Sequence, residues 1–330
     1  MLYWISMKVK EIRPGAAVPG GIIRVEVEGL NGVTDVRVEI GEVEAAFLGA
    51  SQNVLTLKVP EGVSESGVVV YQGQKKARRP LRLGRLLAQE LHSVANPVVD
   101  DQGLIYCTFS GARGEKVPFS VYAIDSHGDK QPFLADIVNA TALAIGPDGL
   151  LYISSRHTGT IYRSSFDKRL EKYAEGLGLA TGLAFDGVGN MIVGDRGGTL
   201  YRISASRQTS VLCELEPSVS AYHLVAAPDG GVFVTGPTLS TQDSIYRVSA
   251  SGQVEVFFKG LGRPQGMAFD PEGNLQVAAS YQGRKGIYTF RGGSPEWTVA
   301  GPMLTGLAYS PARDRLYLVD SSNLFVLDLA

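Results

Sequence analysis

TGLAFDGVGNMIVGD at residues 181–195 and QGMAFDPEGNLQVAA at residues 265–279 are two copies of one sequence pattern. A third full copy, TGLAYSPARDRLYLVD, occupies residues 305–320. Weaker copies cover residues 95–109, 141–155 and 222–236. Each copy alternates small and large apolar residues, passes through a turn, and continues into a second apolar stretch. Alternation with a period of two indicates β-strands, so the pattern predicts a β-hairpin that returns six times.

The spacing of the copies defines the repeating unit. Successive turn glycines lie 40 to 46 residues apart from Gly103 to Gly273, and Asp314 stands at the turn of the last copy. In the first five units a third strand with a Tyr signature and a short fourth strand follow the hairpin. Four short strands per unit of about 42 residues are typical of a propeller blade. Small residues such as Gly182 and Gly266 in the first strand suit sheets that converge on an axis. Residues 85–330 are therefore predicted to form a six-bladed β-propeller.

The ends of the repeat region predict how the ring closes. The last unit stops after its third strand, at residues 324–329. Leu86–Leu91 precedes the first unit and aligns with a fourth strand. We expect this segment to complete the last blade, because closure removes the exposed strand edges that invite aggregation.

Residues 1–84 do not share the repeat and predict a separate module. Short strands separated by Gly and Pro, such as IIRVEVEGL at 22–30 and VLTLKVP at 54–60, favour a small immunoglobulin-like β-sandwich. The stretches at 13–30 and 36–60 resemble the IPT/TIG family, which implies a spacer or interaction role. The basic linker at 75–85 is interpreted as a solvated hinge, and a contact patch for an acidic surface is the alternative. Because it enters the last blade from the far side, the module is expected opposite the channel mouth.

Composition excludes several classes of function. The formal net charge is −2, so nothing favours nucleic acid as a partner. No run approaches 18 apolar residues, so no membrane span is expected. The first residues lack the basic region and cleavage site of a signal peptide. The two cysteines, Cys107 and Cys213, fall on different predicted blades, so a disulfide is not expected. These features favour a cytoplasmic location and leave an extracytoplasmic one open.

A binding site is expected at the mouth of the channel. The start of each first strand and the loop after each second strand should lie together on one face. We call this the mouth face. Its longest loops are predicted at Ser110–Ser120, Gly236–Ser244 and Ser280–Gly286.

The repeats resemble the NHL-repeat and regucalcin/gluconolactonase-like six-bladed propellers, through the strings TGLAFD, GMAFDPEGN and TGLAYSPARDRLYLVD. The resemblance to the latter group implies a divalent cation over the mouth, held by Glu, Asn and Asp side chains. Such a cation polarises a lactone carbonyl and activates water.

The matching positions in this sequence do not supply that ligand set. None of the six strand-entrance residues is acidic or Asn, whereas hard cations prefer carboxylate oxygens. They are Ala95, Thr141, Thr181, Tyr222, Gln265 and Thr305. Among the second-strand ends only Asp195 and Asp320 match, and they belong to opposite blades. No metal or other cofactor is therefore expected, although a divalent cation with an incomplete ligand set stays open.

Several polar residues near the mouth have both a functional and a structural interpretation. Arg156, His157 and Arg196 could bind a carboxylate or phosphate with Asp195 beside them, or form a surface salt-bridge network. Asp195 could instead pair with Arg196 or with backbone donors. His223 stands where four other units have Gly or Ala. It could act as an acid–base group or fill a gap between blades.

The sequence thus predicts a non-catalytic propeller that binds a small molecule, a peptide or another protein at its mouth. The candidate ligand contacts are Thr141, Arg156, Thr181, Arg196, Tyr222, Gln265 and Thr305. The alternative is a metal-assisted lactonase-like hydrolase, or a lyase, with a rebuilt centre. Its candidate catalytic residues are Asp195, His223, Asp320 and His157. A purely structural scaffold is the third hypothesis.

Overall fold

The computed structural model describes residues 6–63 and 67–329, and every regular element in that part of the chain is a β-strand. The protein is therefore all-β, as the sequence predicts. No helix long and apolar enough to cross a membrane occurs in the described segments.

Ten strands lie within residues 8–83, and we call this part of the chain the module. They are β1 (Lys8–Arg13), β2 (Ala16–Ala17), β3 (Ile22–Glu28), β4 (Val36–Ile40), β5 (Val43–Glu44), β6 (Ala46–Ala50), β7 (Val54–Lys58), β8 (Val68–Gln72), β9 (Lys75–Arg79) and β10 (Arg82–Leu83). Eight of them form two four-stranded sheets, in the orders β1-β3-β7-β6 and β5-β4-β8-β9. Inward residues alternate with outward ones, as Ile23 and Val25 in β3 illustrate, and the inward set forms one apolar core.

The remaining strands form six sheets, which we call the disc. They are β11 (Arg85–Ala88), β12 (Val98–Val99), β13 (Ile105–Thr108), β14 (Val121–Ile124), β15 (Lys130–Leu134), β16 (Ala140–Ile145), β17 (Leu151–Ser155), β18 (Thr160–Ser164), β19 (Leu170–Ala174), β20 (Ala180–Phe185), β21 (Met191–Asp195), β22 (Thr199–Ile203), β23 (Thr209–Glu214), β24 (His223–Ala226), β25 (Val232–Thr235), β26 (Asp243–Val248), β27 (Val254–Leu261), β28 (Met267–Phe269), β29 (Leu275–Tyr281), β30 (Arg284–Arg291), β31 (Ser294–Ala300), β32 (Gly306–Tyr309), β33 (Arg315–Val319) and β34 (Leu324–Asp328). Five of the sheets pair four consecutive strands antiparallel, and the sixth has the order β11-β34-β33-β32.

The six sheets close on themselves. The innermost strands contact one another in the order β12, β16, β20, β24, β28 and β32, and β32 returns to contact β12. In the last sheet Arg85 pairs with Val326 and Leu86 with Phe325. The regular part of this closing strand ends at Ala88, three residues before the predicted end at Leu91, although the Leu91 amide still donates to Ser322 O.

Close approach at the centre of the disc explains the small residues of the first strands. A Cβ atom built on Gly266 would lie 1.9 Å from Asn96 Oδ1, and one on Gly306 would lie 2.5 Å from Asn96 Cα. The Asn96 side chain donates to Met267 O at 2.7 Å and accepts from Leu307 N at 3.1 Å. One amide thus ties the first strands of two other sheets together.

The hairpin turns on the far face need a left-handed residue. Gly189 has φ +85° and donates its N–H to Asp186 O at 3.0 Å. In the last repeat Arg313 adopts this conformation, with φ +58°, and donates to Ser310 O at 2.9 Å. The assignment of that turn position to Asp314 is therefore wrong by one residue.

The prediction of a long mouth-face loop at Ser280–Gly286 is also wrong. Ser280 pairs with Lys285 and Tyr281 with Arg284, so β29 and β30 continue into a tight hairpin. Only Gln282 and Gly283 form the turn, with φ +49° and +76°. Two consecutive positive φ values suit a two-residue hairpin, which leaves no room for a loop.

The module docks on the edge of the disc. β2 lies between β31 and β10 in parallel pairing, and the Val18 amide donates to Ala300 O at 2.9 Å. A Cβ atom on Gly21 would lie 2.6 Å from Ala300 O, so glycine is required for this contact. From there β3 extends beside the mouth-face loops of two sheets, and the two parts share a cleft. The expectation that the module lies opposite the mouth is therefore wrong.

Candidate functional site

The mouth face is defined by the pairing of first and second strands. Ala140 pairs with Ser155 and Ala180 with Asp195, so the start of each first strand lies beside the end of the second. The residues that follow the second strands, Arg156 and Arg196, therefore emerge on one face. Each donates its amide to the residue just before the first strand, Arg156 to Asn139 O and Arg196 to Leu179 O.

Loops of three successive sheets enclose a cavity of about 350 Å³ on this face. We call it the arginine cavity, and it is lined by Arg113, Asn139, Arg156, His157, Leu179 and Arg196. The structure thus brings together three of the sequence-predicted residues, Arg156, His157 and Arg196. It adds Arg113 from the loop between β13 and β14.

The cavity is strongly cationic. No salt bridge pairs Arg113, Arg156 or Arg196 with a carboxylate in the described part of the chain. Desolvation, with repulsion from the other two guanidinium groups, lowers the pKa of Arg156 below its usual range. Arg196 Nε donates to Ser218 O at 3.1 Å, which fixes its direction without neutralising it. A bound anion would remove the repulsion and satisfy the free donors.

Asn139 holds the walls of the cavity in place. Its side-chain amide donates to Ser110 O and Ala112 O, at 2.6 and 2.7 Å, and its carbonyl oxygen accepts from Gly114 N at 2.7 Å. The residue is 1% exposed and has φ +51°, a conformation that Asn tolerates better than most residues. The loop that carries Arg113 is therefore anchored to the entrance of β16.

His157 packs against the same loop. A Cβ atom on Gly114 would lie 3.5 Å from His157 Cε1, so the imidazole rests on the glycine backbone. The side chain is exposed to solvent at the rim of the cavity. It is the one candidate acid–base group among the residues that line the arginine cavity.

The two acidic candidates serve the backbone of their own turns. Asp195 accepts from Leu179 N at 2.7 Å and packs between Gly178 and Gly197. Asp320 accepts from Ser322 N and Asn323 N, both at 2.7 Å. Both are ordinary roles for Asp at the end of a strand. The structure places Asp195 beside the arginine cavity without lining it, and Asp320 in the cleft beside the module.

The predicted strand-entrance contacts are held by backbone hydrogen bonds. Thr141 and Thr181 are buried, and their hydroxyls donate to Asn139 O and Gly194 O. Tyr222 is 1% exposed, and its hydroxyl donates to Glu216 O. The Thr305 hydroxyl donates to Ser93 O at 3.3 Å, and the backbone N–H of Gln265 donates to Ala278 O at 2.8 Å. The geometry favours a structural role for this set, and none of the five lines the arginine cavity.

His223 is buried in the innermost strand of its sheet. It is 5% exposed, and desolvation lowers its pKa to about 4. A neutral imidazole therefore occupies a position at which four other repeats have Gly or Ala. The structure therefore separates His223 from the arginine cavity.

The residues present do not fit the cation centre of the gluconolactonase-like propellers. Asp195 and Asp320 are engaged by backbone amides in separate places. In the described ranges, no three His, Cys, Asp or Glu side chains gather closely enough to hold a metal ion. We therefore derive no step through a metal.

Comparison with known proteins shows the fold. The sequence matches no family model and no curated protein. Among solved structures, it is similar to an auxiliary nutrient binding protein from Bacteroides thetaiotaomicron, with TM-score 0.57, 10% identity and 98% of each chain covered. A structure described as a gluconolactonase candidate has TM-score 0.60 and 16% identity, over 74% of this chain and 91% of that chain. Virginiamycin B lyase from Staphylococcus aureus has TM-score 0.53 and 13% identity, over 72% of this chain and 96% of that chain.

The disc has the β-propeller fold. The neighbours include gluconolactonase-like and virginiamycin B lyase propellers. At these identities the likeness concerns architecture alone, because one propeller fold carries many functions. The nutrient-binding neighbour matches over 98% of this chain, so its likeness includes the module as well as the propeller.

Sequence reasoning missed three residues of the arginine cavity. Arg113 lies in a loop that is longer than its equivalents in the other repeats, so alignment of the repeats could not place it. Leu179 and Asn139 precede first strands, two positions before the aligned strand-entrance residues Thr181 and Thr141. The unusual length of the loop between β13 and β14 was the sequence feature that could have pointed to Arg113 and to the contacts between this loop and Asn139.

Proposed function

We propose that the chain is a six-bladed β-propeller, residues 85–330, with an immunoglobulin-like module at residues 1–84. We further propose that it binds a small hydrophilic anion on its mouth face and does not transform it. The observation that carries this proposal is the convergence of Arg113, Arg156 and Arg196 on one cavity, where no carboxylate of the described residues pairs with them. Side chains of like charge that lie close together and repel one another are typical of ligand sites.

The chemistry of the lining favours a carboxylate- or phosphate-bearing ligand. Guanidinium groups offer paired donors that match the oxygens of both anions. Leu179 is the one apolar side chain of the lining, so a largely polar ligand fits best. Neighbours named auxiliary nutrient binding proteins support a binding role, since their fold matches over almost the full length.

A thermal-shift titration tests the proposal with citrate and inorganic phosphate as probes. A ligand that binds only the folded state raises the melting temperature as its concentration rises. We expect a rise for the wild-type protein and for Arg169→Gln, which removes an exposed arginine from a turn on the far face. We expect the rise to be lost in Arg156→Gln and reduced in Arg113→Gln.

The result that overturns the proposal is an equal shift in all four proteins, or no shift with either anion at millimolar concentration. Equal shifts would mean that the anions act elsewhere on the surface. No shift would mean that the arginines serve another purpose.

A hydrolase or lyase is the second candidate, and His157 is the observation that favours it. Its exposed imidazole stands at the rim of the arginine cavity, where it could move a proton to or from a bound anion. A pH-stat assay with a lactone distinguishes the two functions. Acid release that disappears in His157→Gln, with citrate binding intact, would establish the enzyme in place of the binding protein.

A further inference from the structure

A second concave site lies where the module meets the propeller. This module cleft has a volume of about 820 Å³, within the range of small-molecule pockets. One wall is the outward face of β3, β6 and β7. The other is the hairpin of β29 and β30 with the segment at 301–303. It lies on the opposite part of the ring from the arginine cavity, which belongs to the first three sheets.

Apolar side chains are left exposed in the cleft. Ile22 is 44% exposed, Leu48 54% and Met303 42%, and all three line it together with Trp297 and Pro302. Exposed apolar residues are common when scattered singly, but a concave group of five is typical of a binding site. A ligand with an aromatic or aliphatic body would cover this group.

Three cations stand around the apolar group. Arg24, Arg284 and Lys285 line the cleft, and no salt bridge in the described ranges engages them. Among the described residues that line the cleft, the one acidic residue is Asp320, whose carboxylate accepts from Ser322 N and Asn323 N. The cleft therefore presents an unbalanced positive charge next to apolar surface.

The aromatic wall is fixed in orientation. Trp297 Nε1 donates to Lys285 O at 3.1 Å, and the Arg284 guanidinium carbon lies 5.7 Å from the centre of the indole. The hairpin itself is braced because the buried Tyr288 hydroxyl donates to Arg284 O at 2.8 Å. A ring and a cation held side by side need little reordering on binding, which favours affinity.

From these observations we propose that the module cleft binds an amphipathic organic anion, a carboxylate or sulfonate attached to an aromatic or aliphatic group. The apolar body packs against Trp297, Leu48 and Ile22. The anionic group pairs with Arg24 and Lys285. This site is separate from the arginine cavity and does not depend on the function proposed there.

Fluorescence gives a test that is local to the cleft. The chain has two tryptophans, Trp4 and Trp297, so Trp4→Phe leaves Trp297 as the sole emitter. Anilinonaphthalene sulfonate, an aromatic sulfonate that absorbs tryptophan emission, serves as the probe. We expect it to quench Trp297 in saturable fashion.

Charge variants in the Trp4→Phe background identify the anion contact. Arg24→Gln and Lys285→Gln should each raise the dissociation constant of the probe, obtained from the saturable quenching, by about tenfold. The loss of one charge-assisted hydrogen bond implies a change of this size. Lys10→Gln is the matched control, because it removes an exposed charge from β1 in the same module sheet. Since all three side chains are exposed, the variants are expected to keep the wild-type melting temperature.

Two results would overturn the proposal. One is probe fluorescence that rises without quenching of Trp297, which would place the probe elsewhere. The other is equal quenching in the Arg24, Lys285 and Lys10 variants, which would show that the cations take no part. Arg156→Gln should leave the quenching unchanged, so failure here is distinguishable from failure of the proposed mouth site.

Discussion

The arginine cavity and the module cleft differ in how the chain builds them. The cavity comes from equivalent places in consecutive repeats, and two of its arginines follow the second strands of neighbouring sheets. The cleft comes from two unlike parts of the chain, and its lining mixes apolar, aromatic and cationic side chains. Repetition places like groups side by side, which suits one kind of ligand chemistry. Docking of dissimilar surfaces combines different chemistries in one site.

Acid should produce the largest difference, because it acts on the propeller through His223. Burial lowers the pKa of this group to about 4, whereas an unfolded histidine titrates near about 6.5. Between about pH 6.5 and about pH 4 the unfolded chain binds a proton on this histidine that the folded chain does not bind. The contribution of neutral His223 to the free energy of unfolding is complete above about pH 6.5 and is lost as the pH falls toward 4. The loss reaches up to about 3 kcal/mol.

Urea unfolding at about pH 7 and about pH 5 measures this loss. The His223→Gln variant should lose less stability than the wild-type protein between the two conditions, because its side chain does not titrate. Equal losses in the two proteins would refute a buried neutral histidine at this position.

A Gly21→Val substitution should separate the two sites. Its Cβ would lie 2.6 Å from Ala300 O, so the module cannot dock without a shift of backbone. Overpacking of this kind costs about 1–3 kcal/mol. We expect quenching of Trp297 by the sulfonate probe to disappear while citrate still raises the melting temperature. The control is Gly49→Ala, since a Cβ there meets no atom within 4 Å.

Salt should weaken the two sites unequally. Binding at the arginine cavity rests on charge alone, whereas the module cleft also buries apolar surface. Raising the ionic strength from about 0.01 M to about 0.15 M shortens the screening length from about 30 to 8 Å. We expect about a tenfold loss of citrate affinity and a smaller loss for the sulfonate probe, both measured by calorimetry. A larger loss of affinity at the module cleft than at the arginine cavity would show that binding at the cleft depends more on charge.

The smallest effect concerns stability without ligand. Arg156 is repelled by Arg113 and Arg196, so Arg156→Gln should raise the free energy of unfolding by about 1 kcal/mol in low salt. Citrate should cancel the difference by stabilising only the wild-type protein. Denaturant unfolding with and without citrate checks both statements, and Arg169→Gln should change neither value. A destabilised Arg156→Gln protein would mean that this arginine supports the fold.

The repeat made much of the propeller predictable. TGLAF lies in β20 and MIVGD is β21, because alternation with a period of two directly reflects one buried face. The need for glycine at positions 266 and 306 was also readable, because convergence at an axis limits side-chain size. The sequence could also predict that Arg156 and Arg196 lie near each other on the mouth face, since they occupy matching positions in two neighbouring repeats.

Features without a repeated counterpart were not predictable in this way. Arg113 lies in a loop of its own length, and its position depends on the contacts of Asn139. The turn at Gln282–Gly283 joins strands that are longer than their equivalents, so alignment suggested a loop. The docking of Ala16–Val18 against β31 is a long-range pairing, and no local pattern encodes the partner strand.

The strand order of the last sheet has a consequence for how the protein is made. β11 is synthesised before every other strand of the ring, yet its one neighbour in the sheet, within the described part of the chain, is the last of these strands, β34. On the ribosome the module can fold early, because both of its sheets are complete by Arg79. The ring must stay open until β34 has left the ribosome, so the ring strand that is made first waits for the one that is made last.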